Sequence, residues 1–343
     1  YQVVRLLDPY WPDMPTWIER SFNLDRKIPE KVVEKLLISI LESPLAKQTG
    51  SSIEKRLGRS LRPYDIWYDG FKSAQPYSQE ELDRAVREKY PDLASFEADI
   101  PRILRQLGFS PQKAAFIAGR IVVDSSKGTG HALAAHMRND KAHLRVRLFD
   151  GAMNYISYNF AVHELGHNVE QVCSLHMIDH YLLRGIPNVA FTEAFAFMFG
   201  RRHLELLGLE KGGVKDPAKD LQAFWFAYET GGVALVDMKI WRWLYDHPGA
   251  PVSQFQEAAI TIAKEVWNRY YAPVFQEKDV PLLLIYSHLI GGYLYFPDYP
   301  IGQIISSQIE QYLEGKNLGI EMERMCKTGS LTPEYWLQQA VGA

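Results

Sequence analysis

Between Tyr155 and Phe199 lies His163-Glu164-Leu165-Gly166-His167, and no other stretch narrows the possible folds of this chain so far. H-E-x-x-H spacing makes chemical sense on a helix, where residues four apart share a face. Both imidazoles then point one way with a carboxylate beside them. Ala161, Val162, Leu165, Val169 and Val172 give that helix an apolar body, so the motif should fall on a buried element. Gly166 is a poor helix former in mid-helix, and is expected where a backbone or a ligand comes close.

Two imidazoles on one face suit a single zinc ion, which takes nitrogen and oxygen donors in a tetrahedron. A catalytic site leaves one position to water. Glu164 would then stand beside the metal-bound water, placed to take its proton and pass it to a leaving amine. Zinc lowers the pKa of such a water to about 7. The expected third ligand is Glu193, in a run from Ala190 to Phe199 that is otherwise apolar or aromatic apart from Thr192. A carboxylate there is costly unless it is paired or bound to metal. Glu170 shares the stripe of His163 and His167, and either orients a ligand from behind or faces water. His176 and His180 repeat the four-residue spacing, but Met177 stands where the base should be, so they are read as structural or surface residues. His131, His136 and His143 flank the strand region without such a context.

The spacing resembles a known family. H-E-x-x-H with a glutamate 26 residues after the second histidine is similar to the thimet oligopeptidase, neurolysin and oligopeptidase F family of zinc peptidases. The aminopeptidase N-like and thermolysin-like families place that glutamate nearer. His288-Leu289-Ile290-Gly291-Gly292-Tyr293 looks like the family's H-x-x-G-G-Y segment, whose histidine and tyrosine contact substrate and the tetrahedral intermediate. Imidazole and phenol can both donate to an oxyanion, and the paired glycines would let a peptide approach closely. Leu61–Tyr68 resembles the family's aromatic-Asp segment, and Gly128–Ala132 would correspond to its substrate-binding edge strand. Two further tyrosines of the family fall at Pro297 and Pro300, with Tyr295 and Tyr299 out of register. Tyr299 is the remaining candidate donor. The chain is shorter than the family's usual length.

Charge is balanced at net −3, so no basic surface asks for nucleic acid. The longest apolar run, residues 280–296, is too short and too polar for a membrane span. Cys173 and Cys326 are too few for a disulfide framework and favour a reducing, cytoplasmic setting over export. The chain opens at Tyr1 without a leader pattern, as a processed protein or a piece of a longer one would.

Helical periodicity predicts helices at about 30–41, 51–57, 79–90, 96–107, 111–117, 155–183, 192–207, 219–246, 253–270, 280–290 and 301–313, with a last one from Pro333. Residues 1–29 read as irregular. Strands are expected only between about Ile121 and Phe149, where Leu144–Leu148 alternates apolar and basic. The fold class expected is mainly α, with a small antiparallel-edged sheet of three or four strands; the resemblance makes it a zincin-type, neurolysin-like catalytic unit. Residues 1–110 read as a helical N-terminal part and 111–343 as the catalytic part, or as one catalytic unit from about 55.

The expected activity is zinc-dependent hydrolysis of short peptides through a water activated by Glu164. One zinc ion would be held by His163, His167 and Glu193, with His288, Tyr293 and Tyr299 as donors. The alternatives are a catalytically impaired zinc-containing peptide-binding protein and a carboxypeptidase-like trimming enzyme. The pattern leaves the oligomeric state open.

Overall fold

The apolar body around the motif forms one helix, Tyr155–His176 (the motif helix). It starts at Asn154, whose extended backbone and side-chain oxygen, accepting from Ser157 N at 2.9 Å, satisfy an orphan amide. It ends sooner than the 155–183 expected. The Arg138 guanidinium takes the carbonyls of Leu175 and Ile178 at 3.0 and 3.3 Å, closing the last turn. Tyr181–Leu183 is a separate 3-10 turn, so His176 and His180 share no helix face.

The computed structural model describes residues 1–71, 77–178, 180–210 and 217–342. They form two compact units: Tyr1–Lys72 with Pro217–Ile304, and Ser73–Asp216 with Ile305–Ala343. The second unit carries the motif helix. Its sheet has β1 (Ile121–Ser126), β2 (His131–Leu133) and β3 (Ala142–Arg147) in the order β1-β3-β2. β1 runs parallel to β3, with Ile121 opposite Ala142, and β2 runs antiparallel to it, with His131 opposite Arg145. Ala142, Leu144 and Val146 are buried while His143, Arg145 and Arg147 are exposed, as a strand with one solvated face requires. The apolar face of β3 packs on the motif helix, and β1 packs on the helix Leu93–Gln106.

The expected helix 192–207 is two. The first is Val189–Gly200 (the glutamate helix), begun by Asn188, whose side chain accepts from Ala190 N. The second is His203–Leu207, and His203 Nδ1 donates back to Gly200 O at 2.6 Å across the break. The motif and glutamate helices touch where Gly166 lies. A Cβ there would stand 2.7 Å from Ala196 Cα and 3.1 Å from Phe195 O. The approach is therefore one of backbone on backbone, of the kind the sequence left open. The helix Leu318–Lys327, capped by Asn317, was not anticipated; its Met322, Met325 and Cys326 are buried.

In the first unit, the long helix Pro217–Asp246 packs against Glu30–Leu41 and Val252–Val266, the last continuing into a π turn at Trp267–Tyr271. The expected short helix at 51–57 starts at Leu45, because Pro44 opens it as well as ending the element before it. The N-terminal stretch includes a π turn, Arg20–Asp25, ordered around buried Arg20, Ser21 and Phe22. The expected helix 280–290 does not form. A 3-10 turn at Leu282–Leu284 is followed by one helical turn, His288–Gly291, and then by Tyr293 and Leu294 at φ +47° and +70°. What holds this path is Arg26, buried, which pairs with Asp298 at 2.7 and 2.8 Å and donates to Leu294 O at 2.8 Å. No helix among the described residues is long and apolar enough to cross a membrane.

Candidate metal centre

His163, His167 and Glu193 each present a ligand atom, and the three atoms lie within 4.8 Å of one another. Glu193 Oε2 is 3.6 Å from His163 Nε2, and its Oε1 is 3.6 Å from His167 Nε2. Donors around a tetrahedral zinc with bonds of about 2.0–2.1 Å stand about 3.3 Å apart, so the set needs only small adjustments to hold one. The two imidazoles meet nearly at right angles, with centroids 5.0 Å apart. Glu193 is the most enclosed of the three, its side chain 3% exposed. That depth, on a helix that is otherwise apolar apart from Thr192, makes an unpaired carboxylate costly. No second group of three or more His, Cys, Asp or Glu with such geometry occurs among the described residues.

Burial disfavours the charged form of both imidazoles. At His167 burial wins and pushes the pKa down to about 4, so the ring is neutral at pH 7, as a ligand must be. At His163 the adjoining Glu193 carboxylate more than offsets burial and raises the pKa. Glu164, beside them, is pushed up to about 7 by burial and by the Glu193 charge, against the opposing pull of His163 and the Ala132 amide. The amide of Ala132 on β2 donates to Glu164 Oε2 at 2.7 Å, so the edge strand fixes where the carboxylate sits. This strand covers the end of the expected 128–132 segment.

Thr192 was noted in the sequence only as the polar exception in its run. Its Oγ1 lies 2.8 Å from His167 Nδ1 and also hydrogen-bonds Glu170. Glu170 is 4% exposed, so it does not face bulk water. Burial pushes its pKa up to about 7, and Ser174 Oγ donates to it at 2.5 Å. Its far side lines a cavity of about 400 Å³, with Ala134, Gln171, Arg184 and Asn188 among the walls. The only sequence signal for Thr192 was its position one residue before the expected ligand, inside an apolar run.

The remaining histidines have other partners. His176 packs edge-on against Phe116, His131 Nε2 lies 3.0 Å from Thr129 Oγ1, and His143 Nδ1 lies 2.5 Å from Asp124 Oδ2. His288, Tyr293 and Tyr299 belong to the first unit. There His288 and Tyr299 share a ring cluster with Tyr295 and Phe296, whereas Tyr293 packs edge-on against Trp241. His288 and Tyr299 meet directly, and Tyr295 and Phe296, neither proposed as a site residue from the sequence, each touch both.

No protein-family model matches the chain, and no curated protein matches it in sequence. Solved structures do match. PZ peptidase A with inhibitor 2 aligns at TM-score 0.68 and 15% identity, over 99% of this chain and 59% of that one. A Bacillus anthracis protein, provisionally assigned as an oligoendopeptidase F, aligns at 0.57 and 15%, over 90% and 52%. Trypanosoma cruzi metallocarboxypeptidase 1 aligns at 0.59 and 14%, over 99% and 72%. The fold is the one these peptidases share. It is mainly helical and zincin-like, with a small mixed sheet, as the sequence led one to expect. The chain spans little more than half the length of the first two structures.

Proposed function

We propose that the chain is a zinc-dependent peptidase, with His163, His167 and Glu193 holding the ion and Glu164 as general base. The observation that carries this reading is the convergence of two imidazole nitrogens and a buried carboxylate oxygen within 4.8 Å, with Glu164 on the same helix. Zinc, when bound, supplies Lewis acidity, which polarises a carbonyl and makes hydroxide available near neutral pH. Glu164 contributes a carboxylate beside the ligand set that can take a proton from water and return it to a leaving amine. Ala132 keeps that carboxylate in place through one backbone hydrogen bond. β2 pairs only with β3 among the described residues, and its free edge offers backbone groups to an extended peptide.

The test is hydrolysis of quenched peptides by metal-loaded protein, by protein treated with chelator, and by Glu164→Gln. The proposal expects turnover in the first alone. No turnover in the first, with peptide still bound, would leave a peptide-binding protein instead. Substituting His288, Tyr293 and Tyr299 singly by Ala or Phe in the same assay tests the roles implied by resemblance. A fall in kcat at constant KM identifies an oxyanion donor.

A second reading is favoured by the fold likeness to a metallocarboxypeptidase, which aligns over 72% of its own length. It makes the chain a trimmer of free C-termini. Products from one C-terminally blocked and one free peptide of the same sequence separate it from an endopeptidase.

A further inference from the structure

We infer that Thr192 and Glu170 form a hydrogen-bond relay that holds His167 with its proton on Nδ1 and its Nε2 bare toward Glu193, making both positioning residues for the metal centre. The inference rests on the proposed metal reading for its purpose, but its geometry stands without an ion. His167 Nδ1 lies 2.8 Å from Thr192 Oγ1, and Thr192 Oγ1 hydrogen-bonds Glu170. A hydroxyl has one proton to give and lone pairs to receive. In its ionised form, above pH about 7, Glu170 only accepts, so the Thr192 proton goes to Glu170. The lone pair that remains faces Nδ1, and the ring can satisfy it only by donating from Nδ1–H. The opposite tautomer would set a bare Nδ1 against an oxygen whose proton is already committed. Nε2, 3.6 Å from Glu193 Oε1, is then the bare nitrogen.

The two ends of the relay are buried, Glu170 at 4% and His167 at 8% exposed, while Thr192 between them is half-buried and borders the cavity. Ser174, one turn along the motif helix, donates to Glu170 Oε1 at 2.5 Å and so helps fix its carboxylate. The glutamate helix thus supplies a ligand in Glu193 and, one residue earlier, the orienter of a ligand on the neighbouring helix. Partners that orient metal-bound histidines typically change metal affinity by 10- to 100-fold when removed.

The test uses the full chain with zinc stripped and then restored. In the stripped protein, held above pH 7 so that Glu170 is ionised, nitrogen-15 NMR of the imidazoles reports the His167 tautomer directly. The expected result is Nδ1–H in the wild type and in Thr192→Ser, and loss of that preference in Thr192→Val. Wild-type His167 carrying its proton on Nε2, or a Thr192→Val protein with an unchanged tautomer, would overturn the relay. Zinc affinity is then measured by competition with a chromophoric chelator. Thr192→Val and Glu170→Met should each bind about 10- to 100-fold more weakly, with Thr192→Ser close to wild type. The double variant should lose no more than Thr192→Val alone, because the relay is already cut. Additive losses, or Glu170→Met binding as wild type, would also overturn it. Should Thr192→Val fail to fold, the Glu170→Met and Thr192→Ser arms still decide. A wild type that binds no zinc sinks the metal reading, while the tautomer measurement still decides the relay.

Discussion

A half-buried carboxyl and a fully buried one, in different units, have displaced pKa values and predict different things. Glu164 is held by the Ala132 amide, and burial raises its pKa to about 7. Glu164→Gln keeps the volume and leaves His163, His167 and Glu193 untouched. Zinc content measured by atomic absorption should stay at wild-type level, while kcat on a peptide falls about 100- to 10,000-fold. Asp237, in the helix Pro217–Asp246, is fully buried, and burial pushes its pKa up to about 8 against the pull of the Phe296 amide and Arg26. The unfolded chain releases this proton near 3.8, whereas the folded chain keeps it until about 8. Folding therefore takes up a proton in that window, and the stability from this group falls as pH rises from about 4 to 8. Asp237→Asn removes the dependence. Denaturant titrations at pH 5 and pH 8 should show the variant gaining on wild type toward the alkaline end.

At the scale of elements, the contact between the motif and glutamate helices decides whether the ligands meet. His163 and His167 converge by helical spacing alone, and that convergence was legible in the sequence. Glu193 was legible as a misplaced charge, but its distance from the histidines depends on how near its helix comes. That distance is set at Gly166, where the Ala196 backbone takes the space a side chain would fill. Gly166→Ala should push the helices apart, costing about 1–3 kcal/mol of stability as overpacking. Zinc affinity should drop by at least about 10-fold, read by chelator competition, even in conditions where circular dichroism shows a folded protein. Two of the misread elements are fixed by contacts distant in sequence. The expected helix 280–290 gave way to turns because Arg26 and Asp298, 272 residues apart, hold the segment that follows it. The motif helix ends at His176, where Arg138, 37 residues from Leu175 along the chain, takes the carbonyl of Leu175 and that of Ile178 just beyond the end.

For the molecule as a whole, a metal that binds the folded chain and not the unfolded one adds stability by mass action. With free zinc at about 100 times its dissociation constant, the gain is about 2.7 kcal/mol. Calorimetry should place the zinc-loaded transition a few degrees above that of stripped protein, with the shift abolished in His163→Ala. An equal transition with and without zinc would remove the triad from the protein's metal chemistry. The mainly helical character, the single sheet and its position between residues 121 and 147 were all readable from hydrophobic period. So was the exposed alternation of β3.

What the sequence determined by itself was local in its physics. Two histidines four apart on a helix share a face with a carboxylate beside them, apolar stretches of the right period favour helices, and an alternating stretch favours a strand. What only the tertiary structure decided was which groups far apart along the chain come within bonding distance. Ala132 on the edge strand reaches Glu164, Thr192 lies between His167 and Glu170, and His288 clusters with Tyr295, Phe296 and Tyr299 but not with Tyr293. Hydrophobic period specifies which face of an element is buried, but not what it is buried against; that follows from packing, and packing from the whole chain.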